Sequence, residues 1–422
     1  MVPALLAFTP SSVPSDAPPG PSVVRIVRSG DAWTLTVDGK PFALRGAVGG
    51  RDARRLVEAG GNAIRGGPRD LDRAHALGLK VLVGLPFGKP RWGFDFTDAA
   101  QVSKQLEEIL AIVRANRNHP AVLMWALGNE MEIFTTKEQR RPLWRAVNEA
   151  ARAIRAEDPS HPVITVVGDL YRTCLHELDA ESPDLDAVGL NAYVDMLTMP
   201  EDVAREGWKR PYLVTEFGPR GHWQVPRTPW GMPIEDTSTE KAEHYERAYR
   251  HAVMGRPQCL GAFVFHWAWH HEKTHTWYGM FLQDGSATQA VEVMQRLWTG
   301  DAPTNLAPRV GTIAARSGEA RSAERWGEFA AGALIECEVA VTDPDSDPLA
   351  IAWDLRVDVA DNPNVGGDRE ETTVPIEGAV EWSEAGRARV RLPRAAGKYR
   401  LFVTARDGRG WAAAANLPIL AR

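Results

Sequence analysis

Two glutamates in this chain stand where a carboxylate could do chemistry. Glu130 ends the run Met124-Trp125-Ala126-Leu127-Gly128-Asn129-Glu130, and Glu216 sits in Tyr212-Leu213-Val214-Thr215-Glu216-Phe217-Gly218. Each follows a short apolar stretch that reads as a buried strand, and a carboxylate there is costly to desolvate unless it is paired or used. Two carboxylates facing each other across a cleft are what cleavage of a glycosidic bond needs. One protonates the leaving oxygen, and the other attacks the anomeric carbon or activates water. Asn129, beside Glu130, is suited to hold a sugar 2-hydroxyl, a contact that tightens as positive charge develops on the ring. One such glutamate alone is commonly just a charge at a helix N-terminus. Two at strand ends, one preceded by Asn, point to catalysis.

The elements that must position these groups follow from periodicity. Residues 23–37 alternate apolar and polar side chains up to the Asp38-Gly39 turn, which predicts a hairpin. Short apolar runs then alternate with amphipathic stretches, as in repeated βα units around a parallel sheet. The strand candidates are residues 42–46, 63–65, 80–85, 122–127, 163–167, 187–191, 212–215 and 261–267. Eight is the number that closes a (β/α)8 barrel, whose active sites lie at the C-terminal strand ends. An open doubly wound sheet would want a Gly-rich nucleotide fingerprint after its first strand, whereas Arg51-Asp52 opens the first helix here. Residues 301–308 carry two prolines and read as a linker. Runs at 334–341, 349–355, 388–392 and 399–405, separated by turns, then predict a small β-sandwich of immunoglobulin or fibronectin type over 309–422. The expected organisation is a tail over 1–22, the barrel with its hairpin over 23–300, the linker, and the sandwich.

The segment Asn116-Arg117-Asn118-His119-Pro120, running into Trp125 through Glu130, resembles the acid/base segment of glycoside hydrolase family 2, in clan A of the retaining glycosidases. Gly61-Asn62-Ala63-Ile64-Arg65, Val188-Gly189-Leu190-Asn191-Ala192-Tyr193 and Thr215-Glu216-Phe217-Gly218 extend the resemblance across the barrel. It implies Glu130 as acid/base and Glu216 as nucleophile. It further implies that Arg65 and Tyr193 position Glu216, with Arg65 keeping it ionised, and that Asn129 contacts the sugar. It also implies a tryptophan after the eighth strand as the floor of the subsite, for which Trp267 is the first choice and Trp269 the second. Ala47-Val48-Gly49-Gly50 and Gly66-Gly67-Pro68 depart from the pattern of family 2, which carries Asn and His after the first strand and His-Tyr-Pro after the arginine of the second. Family 2 barrels also normally follow β-sandwich domains, so the sugar is not carried over with the resemblance.

The loops after the seventh and eighth strands are long and aromatic, and they offer His222, Trp223 and Trp277 as further substrate contacts. His266, His270, His271 and His275 form a histidine-rich run, read as subsite wall since the implied mechanism needs no metal. The cluster Asp343-Pro344-Asp345-Ser346-Asp347 is read as an acidic turn, and no metal and no cofactor are expected.

Composition agrees. The 422 residues include 44% hydrophobic and 25% charged side chains with a net charge of −6, which supplies no basic footprint for nucleic acid, and no apolar run spans a bilayer. Cys174, Cys259 and Cys337 are too scattered for a disulfide framework. An apolar start at residues 2–8 followed by Pro and Ser leans toward export, periplasmic or secreted in a bacterium, with a cytoplasmic location as the alternative. The expectation is a retaining β-glycosidase on a glucan-like oligo- or polysaccharide. A transglycosylase using the same carboxylates is the second reading, and a non-catalytic carbohydrate-binding barrel the third.

Overall fold

The computed structural model describes residues 20–168, 171–361 and 372–422; the expected N-terminal tail lies, through residue 19, outside them. A three-stranded antiparallel sheet comes first, from Val24–Ser29 (β1), Ala32–Val37 (β2) and Lys40–Pro41 (β3). Eight parallel strands follow: Leu44–Val48 (β4), Ala63–Gly66 (β5), Lys80–Leu85 (β6), Val122–Leu127 (β7), Val163–Val167 (β8), Ala187–Asn191 (β9), Tyr212–Phe217 (β10) and Cys259–Val264 (β11). They close into a barrel as β11 pairs with β4. The helices between and after them are Ala53–Glu58 (α1), Leu71–Ala76 (α2), Ala99–Asn116 (α3), Lys137–Glu157 (α4), Tyr171–Glu181 (α5), Met199–Arg205 (α6), Ser238–Ala252 (α7) and Gln289–Thr299 (α8). None is long and apolar enough to cross a membrane.

The helices form where the sequence supplies caps and an apolar face. The Asp98 carboxylate accepts the Ala100 and Gln101 amides at the start of α3. Thr136 with Gln139 and Thr237 with Glu240 make capping boxes at α4 and α7, satisfying amides that the first turn leaves without partners. Inside the barrel, Leu44, Leu82, Met124, Ile164, Leu213 and Phe263 pack with Val24 and Leu35 of the hairpin. The hairpin and the residue leading into it bond to the segments that precede three strands, through Ser22 Oγ to Pro120 O at 3.3 Å, Val24 N to Ser160 O at 2.9 Å and Trp33 N to Pro257 O at 2.8 Å. It therefore plugs the N-terminal end of the barrel and leaves the C-terminal end as the open mouth.

After α8 the chain builds a short two-stranded pair, Arg309–Val310 with Val341–Thr342, and two larger sheets. One orders Ala320–Arg321, Ala314–Ser317, Leu334–Glu338, Arg387–Arg391 and Val380–Glu384. The other orders Gly327–Phe329, Ala412–Ala421, Gly397–Arg406 and Ala350–Val357, its first pair parallel. Their core is a separate cluster around Ile335, Leu355, Val390, Leu401 and Ile419.

The sandwich sits on the barrel through buried polar contacts. Arg400, 1% exposed, bonds Asp358 at 2.9 Å and the Pro233 carbonyl at 2.9 Å. Asn416 Nδ2 donates to Glu235 at 2.7 Å, and the Ala414 amide to Ser238 Oγ at 3.0 Å. Arg325 pairs with Glu240, and Arg309 with Glu292 at 2.9 Å. The loop from β10 to α7 is thus held from behind by the sandwich.

Candidate active site

Glu130 and Glu216 meet at the mouth. Beyond β7 the chain turns through two left-handed residues, Gly128 at φ 66° and Glu130 at φ 50°. A Cβ on Gly128 would lie 2.3 Å from Met131 Sδ, so this turn takes glycine. The turn is pinned by the Glu130 amide to Val166 O at 3.0 Å and by Arg91 to the Glu130 carbonyl. Glu216 belongs to the last residues of β10, which runs two residues beyond the sequence expectation.

A polar net joins the two carboxylates. Arg65 Nη1 donates to Glu216 Oε1 at 2.7 Å, and Tyr193 Oη donates to Glu216 Oε2 at 3.1 Å. Arg65 Nη2 reaches Asn129 Oδ1 at 2.6 Å. Asn191 Nδ2 donates to Glu130 Oε1 at 2.8 Å and to Asn129 Oδ1 at 3.0 Å, while Asn191 Oδ1 accepts from Thr215 Oγ1 at 2.8 Å. Arg65, Asn129, Tyr193, Glu130 and Glu216, named from the sequence, are one connected group. Asn191 and Thr215 were missed as site residues. Asn191 stands in the quoted Gly189-Leu190-Asn191 run, and a polar residue closing an otherwise apolar strand was the available signal.

Electrostatics sharpen the picture. Burial pushes Glu216 up to about 7, the negative charge of Glu130 adds to the rise, and Arg65 and the Tyr193 hydroxyl pull it back. Arg65 was expected to keep Glu216 ionised; desolvation outweighs its pull, because Arg65 meets one carboxylate oxygen and divides its donors among Asn129, Asn191 and the Thr215 carbonyl. Burial also raises Tyr193 well above the usual phenol range, so it remains a donor. A third carboxyl, Glu132, was not anticipated. Burial pushes it up to about 8; it accepts the Gly168 amide at 2.6 Å through Oε1, while its Oε2 is enclosed without a hydrogen-bond partner among the described residues. The visible signal was a second acid in Asn129-Glu130-Met131-Glu132.

The aromatic candidates separate. Trp223 is 44% exposed and stands edge-on to Tyr193, ring centroids 5.4 Å apart, and T-shaped to His222 at 4.9 Å. His222 bonds Tyr278 Oη at 3.1 Å, and burial lowers its imidazole to about 4, so it is neutral at pH 7. Trp277 is 1% exposed and donates to Arg220 O at 3.0 Å; it packs beneath the loop and offers no face to a sugar. Trp267 corrects the expectation more strongly. It is fully buried, donates to Asp52 O at 3.2 Å, and packs on Phe281 and Trp298 in the core between barrel and α8. The reason is strand length: β11 stops at Val264, not at 267, so the first residues over the mouth are Phe265 and His266.

His266 and Trp269 line a cavity of about 510 Å³ with Gly49, Gly50, Arg51, Arg69, Asp70, Arg73, Ala268, His270 and His271. Gly49 has φ 91°, and a Cβ there would lie 2.6 Å from the His266 ring, so the Gly49-Gly50 departure makes room for this histidine. The cavity opens along the rim after β4, β5 and β11, beside the strand that carries Arg65. Three guanidinium groups against one carboxylate give it a basic wall.

Residues 77–222 match the family model described as glycosyl hydrolases family 2, TIM barrel domain. The β-glucuronidase of Sus scrofa is 29% identical over 132 residues, covering 28% of this chain and 19% of that protein. The β-glucuronidase of Felis catus is 28% identical over 126 residues, covering 27% of this chain and 18% of that protein. A solved β-glucuronidase 2 of Bacteroides uniformis, covalently bound to cyclophellitol-6-carboxylate aziridine, covers 94% of this chain at 15% identity with a TM-score of 0.50, a likeness of fold. The chain spans 48% of that structure's length and about a fifth of the two curated relatives. The matched segment lies within the closed eight-stranded barrel and is similar to the TIM barrel domain of glycosyl hydrolases family 2.

Proposed function

We propose that the chain is a retaining β-glycosidase, with Glu130 as acid/base and Glu216 as nucleophile, acting on a β-linked glycan whose sugar at the cleaved bond is anionic. The observation that carries the catalytic part is the hydrogen-bonded bridge of Arg65, Asn129, Asn191 and Tyr193, which joins Glu216 to Glu130. In the first step a Glu216 oxygen attacks the anomeric carbon while Glu130 gives its proton to the departing glycosidic oxygen. In the second, Glu130 takes a proton from water, the water oxygen bonds to the anomeric carbon, and Glu216 leaves as carboxylate. Asn129 reaches the 2-hydroxyl, where a strengthening hydrogen bond favours the oxocarbenium-like state. The basic wall of Arg51, Arg69 and Arg73 supports a carboxylated sugar over the neutral glucan-like one expected from sequence, since guanidinium forks pair with carboxylates bidentately. The β-glucuronidase relatives point the same way.

The test compares aryl β-D-glucuronide, β-D-galacturonide and β-D-glucoside, followed by linkage-defined oligosaccharides, with products read by mass spectrometry. Uronide turnover with net retention is expected, falling by roughly 10⁴-fold or more in Glu216→Gln and by about 10²–10⁴-fold in Glu130→Gln. Preference for the neutral sugar would sink the anionic part. Full activity in Glu216→Gln would sink the nucleophile. Longer products beside shorter ones would mark transglycosylation, for which the exposed face of Trp223 offers an acceptor platform.

A further inference from the structure

We propose that the β-sandwich binds one hard divalent cation, calcium, between Asp343, Asp347 and Asp407. The sequence presents Asp343 to Asp347 as a plain acidic turn. The fold adds Asp407 from the hairpin between Gly397–Arg406 and Ala412–Ala421, and the three residues offer carboxylate oxygens that all lie within 4.8 Å of one another.

Proximity of acids alone would mean little; the decisive feature is what they leave unpaired. Asp343 Oδ2 and Asp347 Oδ2 are enclosed and have no hydrogen-bond partner among the described residues, and the Asp347 side chain is only 7% exposed. A third enclosed oxygen without a partner among the described residues is Oδ1 of Asn305, whose Nδ2 donates to Asp407 Oδ2 at 2.7 Å. Burying bare carboxylate oxygens costs several kcal/mol each unless a cation meets them. The cation in reach is Arg409, which takes Asp347 Oδ1 at 2.9 Å and is itself 63% exposed, leaving Oδ2 unmatched.

The other halves of these carboxylates are already fixed. Asp343 Oδ1 accepts the Asp345 and Asp347 amides at 2.9 and 3.0 Å, and Asp407 Oδ1 accepts the Arg409 and Trp411 amides at 2.7 and 3.0 Å. Asp343 and Asp347 are thus each held with one oxygen employed and one available, while Asp407 Oδ2 carries a single donor, Asn305, an arrangement in which outer hydrogen bonds can orient metal ligands. The donor set is all oxygen, without imidazole or thiolate, and so favours a hard ion over zinc or copper. Calcium, with six to eight oxygens and tolerant geometry, suits a cage of carboxylates and an amide better than magnesium, which keeps its waters.

The place gives the ion a task. Leu306 of the linker donates to Asp345 Oδ2 at 2.6 Å, and the same hairpin bonds the barrel loop ahead of α8 through Ala287 N to Gly410 O at 2.9 Å and Ala412 N to Ala287 O at 2.8 Å. Calcium here would tie linker, acidic turn and hairpin together where the sandwich meets the barrel.

The experiment titrates the full chain, stripped with EDTA, with calcium chloride by calorimetry and follows thermal unfolding in parallel. One site with Kd in the range of roughly 10⁻⁵–10⁻³ M is expected, together with a midpoint raised by several degrees. Both responses should be lost in Asp347→Asn and retained in Asp345→Asn, whose carboxylate lies outside the cluster. No heat and no shift up to about 10 mM calcium, well above that range, would overturn the proposal, as would equal binding by Asp347→Asn. Radioactive calcium retained by wild type at one equivalent supports it even if the Asp347 variant fails to fold. A magnesium response equal to calcium's would overturn the choice of ion.

Discussion

Glu216 and Glu235 are both buried carboxylates, a short stretch of chain apart, and the protein treats them in opposite ways. Burial pushes Glu216 up to about 7 against two donors, Arg65 and Tyr193. Burial would raise Glu235 too, yet Lys241, Arg400 and its hydrogen bonds bring it below the ordinary value. The difference is saturation. Glu235 receives Lys241 Nζ at 2.5 Å, Thr276 Oγ1 at 2.8 Å, Thr274 Oγ1 at 2.7 Å and Asn416 Nδ2 at 2.7 Å, filling its lone pairs. Glu216 keeps 14% of its side chain exposed at the mouth and is partnered on each oxygen by one main donor. A fully met carboxylate is an anchor; a partly met one, desolvated and accessible, retains free energy that a reaction can draw on.

That contrast can be broken from the anchor's side first. Glu235→Ala leaves the buried Lys241 charge with only the Thr276 carbonyl and removes the acceptor of Asn416, so a loss of about 3–5 kcal/mol in unfolding free energy is expected by denaturant titration. Activity should fall as well, since the loop that carries His222 and Trp223 ends at this contact. Stability unchanged within about 0.5 kcal/mol would mean the dock is not under tension.

A smaller effect, of opposite sign in pH, sharpens the comparison. Glu216 has its folded pKa raised, so the stability linked to its proton is fully present below about 4.5 and is lost as pH rises through about 7. Wild type should therefore lose up to about 2–3 kcal/mol relative to Glu216→Gln between pH 5 and 8. For Glu235 the folded pKa is lowered, so its contribution is present above about 4.5 and fades as pH falls. Glu235→Gln should accordingly approach wild type in acid. Parallel thermal scans of the three proteins across pH decide both signs; parallel curves would show that the two carboxyls are not differently tuned.

The smallest effect is kinetic. Under the proposed role of Glu216, which must be ionised to attack, kcat/KM should decline below an apparent pKa near 7 that belongs to the Glu130 and Glu216 pair. Arg65→Gln removes a cation that lowers Glu216, and the acid limb should move upward by about one unit. A limb that stays in place while kcat drops would assign Arg65 to orientation alone.

Much of this arrangement was legible in the sequence because strand ends are marked twice, by an apolar run and by the polar residue that closes it. Residues 80–85, 122–127, 163–167 and 187–191 coincide with β6 to β9, and the net around Glu130 and Glu216 gathers residues named from those ends. The eighth strand misled: Val264, Phe265 and Trp267 all look strand-like, and a strand ending three residues early turns Trp267 into the core and brings His266 to the rim. The strand Ala412–Ala421 was invisible because a run of alanines has little strand propensity; pairing with Gly397–Arg406 makes it. The sandwich's grip on the mouth had no local signature at all. Asn416 meets Glu235 only when the chain is folded, and nothing near either residue announces the other.

The Arg400 contact bears on how this chain could be recombined. Its guanidinium, rooted in the last sheet, closes on a carbonyl at Pro233 in the loop behind the mouth. A chimera joined within residues 301–308, with a foreign sandwich attached, would inherit a barrel whose loop ends in an unanswered carbonyl and a glutamate short of one donor. Arg400, Asp358 and Asn416 would have to travel with the barrel for the graft to take, so the seam natural for exchange in three dimensions is not the linker but the surface behind that loop.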